Sequence, residues 1–269
     1  MIQGQHYDPR FVTDADRADL LAWLATLHPL WEQRYGERHP PPAGQGQRPL
    51  LRPVYWLGSW QFACLDYYRP PKGIRGRCVA AEPFPPVLAR WVAAIETLVR
   101  KKYNRFDIPE GWHLNVCLIN FYGARRDGDK KIDAARVGEH RDFEPGPVAS
   151  VSIGERALFQ FVHPTRPGQT GQVAGQQWLD DGSLQVFAGP LKQLLHRVQR
   201  VDHKSKATLP PELPSFETRR INFTFRYVPD AHVTRFADLD ADAAHDVRGY
   251  VQTLATHAPF WAEALRQRP

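Results

Sequence analysis

Apolar side chains recur at helical spacing in three stretches of the chain. Leu20, Leu21, Trp23, Leu24 and Leu27 share one face of a helix expected over 14–27, with Thr13 placed to cap its first turn. Val87, Leu88, Trp91, Val92, Ile95, Leu98 and Val99 make a longer stripe over 86–103, opened by Pro85 and Pro86, which suit a first helical turn. Val247, Tyr250, Val251 and Leu254, then Phe260, Trp261 and Leu265, predict helical structure near the C-terminal end. From residue 112 onward the signal changes. The segments 113–121, 136–142, 148–153, 157–163, 183–188, 194–200 and 219–228 read as short strands parted by Gly- and Pro-rich turns, the signature of a barrel or sandwich. Segment 54–65 is aromatic and β-prone. Segment 40–53, rich in Pro, Gly and Gln, reads as a loop or flap, and 123–138 as a polar excursion. The stretch 201–218 is a long connection, and 230–246 is acidic and without a clear pattern.

Composition narrows the class. The 269 residues are 42% hydrophobic and 12% aromatic, which is globular rather than disordered. No run approaches the roughly 18 apolar residues of a membrane span, and residues 1–10 lack the apolar core of a secretory signal. Cys64, Cys78 and Cys117 are odd in number and far apart, so neither a disulfide framework nor a zinc knuckle is indicated, and a cytoplasmic location is expected. The formal charge is +6. It gathers in three runs: Arg69, Lys72, Arg75 and Arg77; Arg100, Lys101, Lys102 and Arg105; and Arg197, Arg200, Lys204 and Lys206. Each run taken alone reads as a solvated face. Together, beside an active site, they would suit a phosphate backbone.

The candidate chemistry begins at His140–Arg141–Asp142. Two residues apart on a strand, His140 and Asp142 face one side, and His196 can arrive from a later strand. Two imidazoles and one carboxylate on one face of an octahedral ion leave positions open, as in non-haem iron oxygenases. A short His-X-Asp also recurs by chance, and each residue singly fits a surface or core role. The segment 220–226 adds to the signal. Arg220, Asn222, Thr224 and Arg226 share one parity, and Ile221, Phe223 and Phe225 the other. At about 3.3 Å per residue the two arginines start about 20 Å apart along the strand, and their long side chains can converge on opposite ends of a small acid. An amphipathic edge strand with solvated arginines is the alternative. Asn120 and Tyr122 form a second same-face pair.

In order along the chain, these segments resemble the AlkB family of 2-oxoglutarate- and Fe(II)-dependent dioxygenases. Residues 118–122 match its Asn-X-Tyr strand, and 137–144 its metal strand with a following acid. Residues 182–196 match the approach to its distal histidine, and 220–226 its Arg-X-Asn-X-Thr-Phe-Arg signature. The resemblance covers about residues 50 to 227 and implies a mainly β fold with flanking helices, a double-stranded β-helix or jelly roll. It implies three parts: 1–110 as helical support and nucleotide-recognition lid, 111–228 as catalytic core, and 229–269 as a partly helical extension.

The resemblance also implies Fe(II) on His140, Asp142 and His196, with 2-oxoglutarate and dioxygen as cosubstrates. Arg220 and Tyr122 would hold the distal carboxylate, and Arg226, Asn222 and Asn120 would lie near the metal-side end. Glu144 would contact the base or order its neighbours. Trp60, with Tyr55 and Trp56, would stack on it. The implied activity is oxidative demethylation of N-alkylated nucleobases, such as 1-methyladenine and 3-methylcytosine, in DNA or else RNA, single-stranded or with the base flipped. No membrane partner is implied, and a monomer is expected. The alternatives are a related oxygenase acting on a protein, lipid or small metabolite, and a non-catalytic nucleic-acid-binding jelly roll. The long charged link between Tyr122 and His140 and the segment after Arg226 depart from the simplest family members.

Overall fold

Thr13 opens the first helix, α1 (Asp14–Leu24), by accepting a hydrogen bond from the Asp16 amide at 3.1 Å; a first-turn N–H otherwise lacks a partner. This computed structural model describes residues 2–37, 39–65, 78–133, 135–164, 171–202 and 208–268. Helix α1 is shorter than the apolar spacing suggests, with Leu27 buried just beyond its end. Helix α2 (Pro86–Lys102) starts on its proline, buries Val87, Leu88, Trp91, Ile95 and Val99, and carries Arg100, Lys101 and Lys102 in its last turn, where cations complement the helix dipole. Asp240 caps α3 (Ala241–Ala255) by accepting from the Ala243 amide at 2.9 Å, so the end of the acidic stretch is helical. Helix α4 (Pro259–Arg266) packs back on α3 and buries Trp261. Among the described residues no helix is long and apolar enough to cross a membrane.

The strands in chain order are β1 (Gln5–Asp8), β2 (Val54–Leu57), β3 (Ser59–Gln61), β4 (Cys78–Ala80), β5 (Val116–Asp127), β6 (Lys130–Asp133), β7 (Val137–His140), β8 (Val148–Gly154), β9 (Ala157–Val162), β10 (Val173–Leu179), β11 (Leu184–Phe187), β12 (Leu195–Val201), β13 (Phe216–Arg226) and β14 (Val233–Thr234). The larger sheet has the order β1-β11-β8-β13-β5-β2, with β6 beside β5. The smaller has the order β10-β9-β12-β7, and a third joins β14, β4 and β3. The two larger sheets form the jelly roll. Residues 5–8 and 54–57 thus contribute strands to the same sheet as β13.

Alternation along β13 and β5 assigns the two faces of the larger sheet. Ile119, Phe121, Ile221, Phe223 and Phe225 join the main core beneath the helices, with Trp91 edge-on to Phe223 at 5.6 Å. Tyr122, Val148 and Phe187 turn the other way and meet Phe159, Phe161 and Val198 of the smaller sheet in a second, smaller core. The polar side chains of that inner face are the material of the site. Where β13 shifts register between Thr218 and Arg220 it crosses Gly123, whose absent Cβ would lie 1.8 Å from the Glu217 carbonyl oxygen. Only glycine lets the strands approach so closely there.

Two readings of the sequence are corrected, and two strands are added. The polar excursion at 123–138 is largely a β-hairpin, since β5 continues to Asp127 and pairs with β6. Arg126 and Lys131 both reach Glu217, at 2.9 and 3.2 Å, so cross-strand ion pairs sustain a ribbon with little apolar signal. The metal strand ends at His140, leaving Asp142 just past it. Strands β1 and β10 were unexpected; β10 is buried only at Leu179 and otherwise exposed or half-buried, which dilutes the alternation.

Glu32, only 2% exposed, knits the aromatic segment to the chain before it. Its carboxylate accepts from Trp56 Nε1 at 2.8 Å, Trp60 Nε1 at 2.9 Å and the Ala63 amide at 2.7 Å. Burial pushes its pKa up, while these donors oppose the rise. Glu32→Ala strips three buried donors of this acceptor, at about 1–3 kcal/mol each. A loss of roughly 3 kcal/mol or more is expected in urea unfolding, and a smaller one for Glu32→Gln, which keeps an acceptor oxygen. An unchanged midpoint for the alanine variant would contradict this role.

Candidate active site

Antiparallel pairing of β7 with β12 sets His140 directly opposite His196, with ring centroids 4.3 Å apart. The His140 Nδ1 lies 2.8 Å from the Gly138 carbonyl oxygen. A carbonyl only accepts, so Nδ1 carries the proton and Nε2 keeps its lone pair. His196 is buried between Phe159 and Phe187, with ring centroids 5.4 and 5.5 Å away. Burial lowers the pKa of both imidazoles, that of His196 to about 3, where His140 adds to the effect. Both are therefore neutral, the state a metal ligand needs.

Asp142 completes the group. Its Oδ1 is 2.8 Å from Arg226 NH2, while its Oδ2 is buried, lacks a hydrogen-bond partner and lies 3.4 Å from His196 Nε2. Burial alone would raise its pKa, but Arg226, then His196, Lys192 and His140, outweigh that and hold it well below the carboxylate range. One ligand atom from each of His140, Asp142 and His196 lies within 4.8 Å of the others. An unsatisfied carboxylate oxygen facing two neutral imidazoles fits a divalent iron, which takes nitrogen and oxygen donors. Arg226 holds the other oxygen and so fixes the carboxylate's orientation.

Register places the remaining polar residues. Asn120 faces Asn222, and Tyr122 faces Arg220, across β5 and β13. Arg220 is 1% exposed. It donates to Ser152 Oγ at 2.6 Å, the Glu155 carbonyl at 3.0 Å and the Leu179 carbonyl at 3.4 Å, and its Nε has no partner. Among the described residues no carboxylate lies at ion-pair distance from it, and burial draws its pKa down to about 10. A buried guanidinium without an anion is costly, so the position fits one end of a bound dicarboxylate. The Asn222 amide is spent within the sheet: Nδ2 donates to Ser150 Oγ at 2.8 Å and the Val151 carbonyl at 3.2 Å, and Oδ1 accepts from Thr224 at 2.9 Å. Glu144 is buried, accepting from Gln61 Nε2 at 2.8 Å and lying 3.7 Å from Arg226 Nε.

The aromatic assignments are corrected. Trp60 is 1% exposed, stacked on Phe62 at 4.2 Å and edge-on to Trp261 at 5.7 Å. Trp56 is buried with its indole on Glu32, and Tyr55 donates to Glu82 at 2.5 Å. None of the three reaches the site, because β2 and β3 are covered on both faces. Among the described residues the exposed aromatic is Phe106, 81% exposed, which sequence reading passed over. With Asp107, Arg141, Phe143 and Lys192 it lines a cleft of about 740 Å³ that reaches Asp142 and Glu144. Lys192 Nζ donates to the Glu144 carbonyl at 2.9 Å, and burial lowers its pKa.

Of the basic runs, 69–77 and Lys204 and Lys206 lie outside the described residues. Arg197 is tied to Glu139 at 2.7 Å, and Arg200 lies over Trp178 at 5.2 Å. Arg100, Lys101, Lys102 and Arg105 are exposed and lead directly into Phe106. Arg52 was also missed; it donates to Asn120 Oδ1 at 3.1 Å. Nothing local in the sequence flags it.

Comparisons with known proteins bear on this arrangement. No curated protein sequence matches the chain. Among solved structures, OsALKBH1 is similar in fold, with a TM-score of 0.51 and 19% identity over 84% of this chain and 99% of that one. A 2OG-Fe(II) oxygenase family oxidoreductase from Burkholderia pseudomallei also matches, with a TM-score of 0.41 and 16% identity over 83% and 86% of the two chains. The model of the 2OG-Fe(II) oxygenase superfamily matches residues 4–226, a span from β1 to the last residue of β13. The chain therefore belongs to the 2OG-Fe(II) oxygenase superfamily, as a dioxygenase that uses Fe(II), 2-oxoglutarate and dioxygen.

Proposed function

We propose that the chain removes N-linked methyl groups from nucleobases in DNA or RNA. The observation that carries this reading is the cleft beside Asp142. Its wall is the exposed ring of Phe106, and the exposed cations Arg100, Lys101, Lys102 and Arg105 precede that residue in the chain. A planar base can stack on that ring, and a phosphate backbone can follow the cations. Phe106 thereby takes the stacking role that the sequence suggested for Trp60.

His140, Asp142 and His196 would hold the iron, Arg220 with Tyr122 the distal carboxylate of 2-oxoglutarate, and Asn120 a position nearer the metal. Fe(II) with 2-oxoglutarate and dioxygen supplies a two-electron oxidation that places one oxygen atom on the methyl carbon and the other in succinate, with loss of carbon dioxide. The resulting N-hydroxymethyl group breaks its C–N bond to leave formaldehyde and the unmodified base. Arg226 keeps the Asp142 carboxylate aimed, and Glu144, held by Gln61, keeps Arg226 in place. No side chain is assigned as a general base.

Formaldehyde release from single-stranded oligonucleotides bearing 1-methyladenine or 3-methylcytosine tests the reading. No iron- and 2-oxoglutarate-dependent product from any alkylated strand would sink it. Base–aromatic stacking contributes about 1–3 kcal/mol, so Phe106→Ala should raise KM for the oligonucleotide roughly tenfold with 2-oxoglutarate affinity unchanged. Equal KM values would remove Phe106 from the substrate site.

A further inference from the structure

Arg52 precedes β2, which pairs Val54 with Asn120, and this register brings Arg52 toward Tyr122. Its guanidinium lies 4.8 Å from the Tyr122 ring centroid, and that of Arg220 lies 6.0 Å from the same ring. Arg52 Nε donates to Asn120 Oδ1 at 3.1 Å, and NH1 donates to the Arg136 carbonyl at 2.9 Å, just before β7 begins. One side chain thus joins β5 of the larger sheet to the approach of β7, an edge strand of the smaller one.

The bond to Asn120 settles which way its amide points. Arg52 Nε–H can only donate, so it must meet the oxygen; the flipped amide would set two donors together. Asn120 Nδ2 is then the end left to donate, and among the described residues it has no partner. No carboxylate among the described residues lies at ion-pair distance from Arg52, so its charge is not spent in a salt bridge. A structural clasp alone would not need a cation there.

We infer that Arg52 is a positioning residue for the dicarboxylate cosubstrate: it aims the Asn120 amide donor and fixes the Tyr122 ring. The inference rests on the proposed placement of 2-oxoglutarate against Asn120 and Tyr122. Arg52 acts through these two side chains, and its net positive charge adds long-range attraction for a dianion.

The test is calorimetric titration of 2-oxoglutarate into the full chain loaded with Mn(II), a redox-inert stand-in for iron. Hydrogen bonds to a charged group imply that Arg52→Ala weakens 2-oxoglutarate about tenfold or more, while Mn(II) affinity stays within about twofold. Arg52→Lys, which keeps the charge without the fork, should recover part of the loss, and it guards against a folding defect in the alanine variant. The Arg52→Ala, Asn120→Ala double variant should lose less affinity than the two single losses added together, since part of the Arg52 effect runs through Asn120. Unchanged affinity in Arg52→Ala, or fully additive losses in the double variant, would overturn the inference. A wild-type chain that binds Mn(II) but not 2-oxoglutarate would instead overturn the cosubstrate placement beneath it.

Discussion

Arg220→Met is expected to abolish measurable 2-oxoglutarate binding while leaving the fold at least as stable as the parent. The two halves of this result share one cause. Arg220 is fully buried and held by one hydroxyl and two carbonyl oxygens, with no carboxylate at ion-pair distance among the described residues. Burial has already drawn its pKa down to about 10. Exchanging a poorly compensated buried charge for an apolar side chain of similar length is commonly neutral or stabilising, by about 1–4 kcal/mol. Losing the cationic fork from a desolvated carboxylate site costs roughly 3–5 kcal/mol, a hundredfold or more in affinity. Arg220→Lys should bind poorly too, since an ammonium cannot grip both carboxylate oxygens. Thermal unfolding beside calorimetry checks both halves. A methionine variant that bound 2-oxoglutarate normally would remove Arg220 from the cosubstrate site.

Asp142→Ala should fail in the opposite way, losing metal and stability together. Its Oδ1 is the 2.8 Å partner of the buried Arg226, and its Oδ2 points toward His196. Breaking a buried ion pair on one side costs about 3–5 kcal/mol, because the remaining charge stays in low dielectric. The carboxyl's pKa is depressed in the fold, so its contribution is complete above about pH 4, the unfolded value, and fades as pH falls below that. The alanine variant should therefore lose most of its deficit relative to the parent in acid. Metal affinity should fall by more than about a hundredfold, beyond what is lost when a residue that only orients a ligand is removed. Urea unfolding at neutral and acidic pH, with Mn(II) titration, reads both effects. An alanine variant with parental stability and metal affinity would contradict the account.

The inner face of β13 was legible because a period of two is unambiguous when Arg220, Asn222 and Arg226 alternate with Ile221, Phe223 and Phe225. The helices were legible from their apolar stripes. Illegible features shared one property: their meaning comes from a second element. Trp60 reads as an exposed stacker until Trp261 and Tyr250, from the C-terminal helices, are seen to cover it. Glu32 is an ordinary acid in the sequence, yet three donors from segment 54–65 converge on it. The β5–β6 hairpin carries too little apolar contrast to announce itself, being held partly by ion pairs to β13. Phe106 follows a basic run, and only its exposure beside the cleft marks it. Arg52 sits in a Pro-rich stretch, and only register shows that it reaches Asn120.

The most direct measurement supplies Fe(II), 2-oxoglutarate and dioxygen to the full chain with a single-stranded oligonucleotide carrying 1-methyladenine or 3-methylcytosine. Succinate and formaldehyde are then quantified together. The account predicts both products in equal amounts, with neither formed above background by Asp142→Ala. Succinate without formaldehyde across the whole set of alkylated strands would contradict it, since an oxygenase would then be present that does not act on nucleobases.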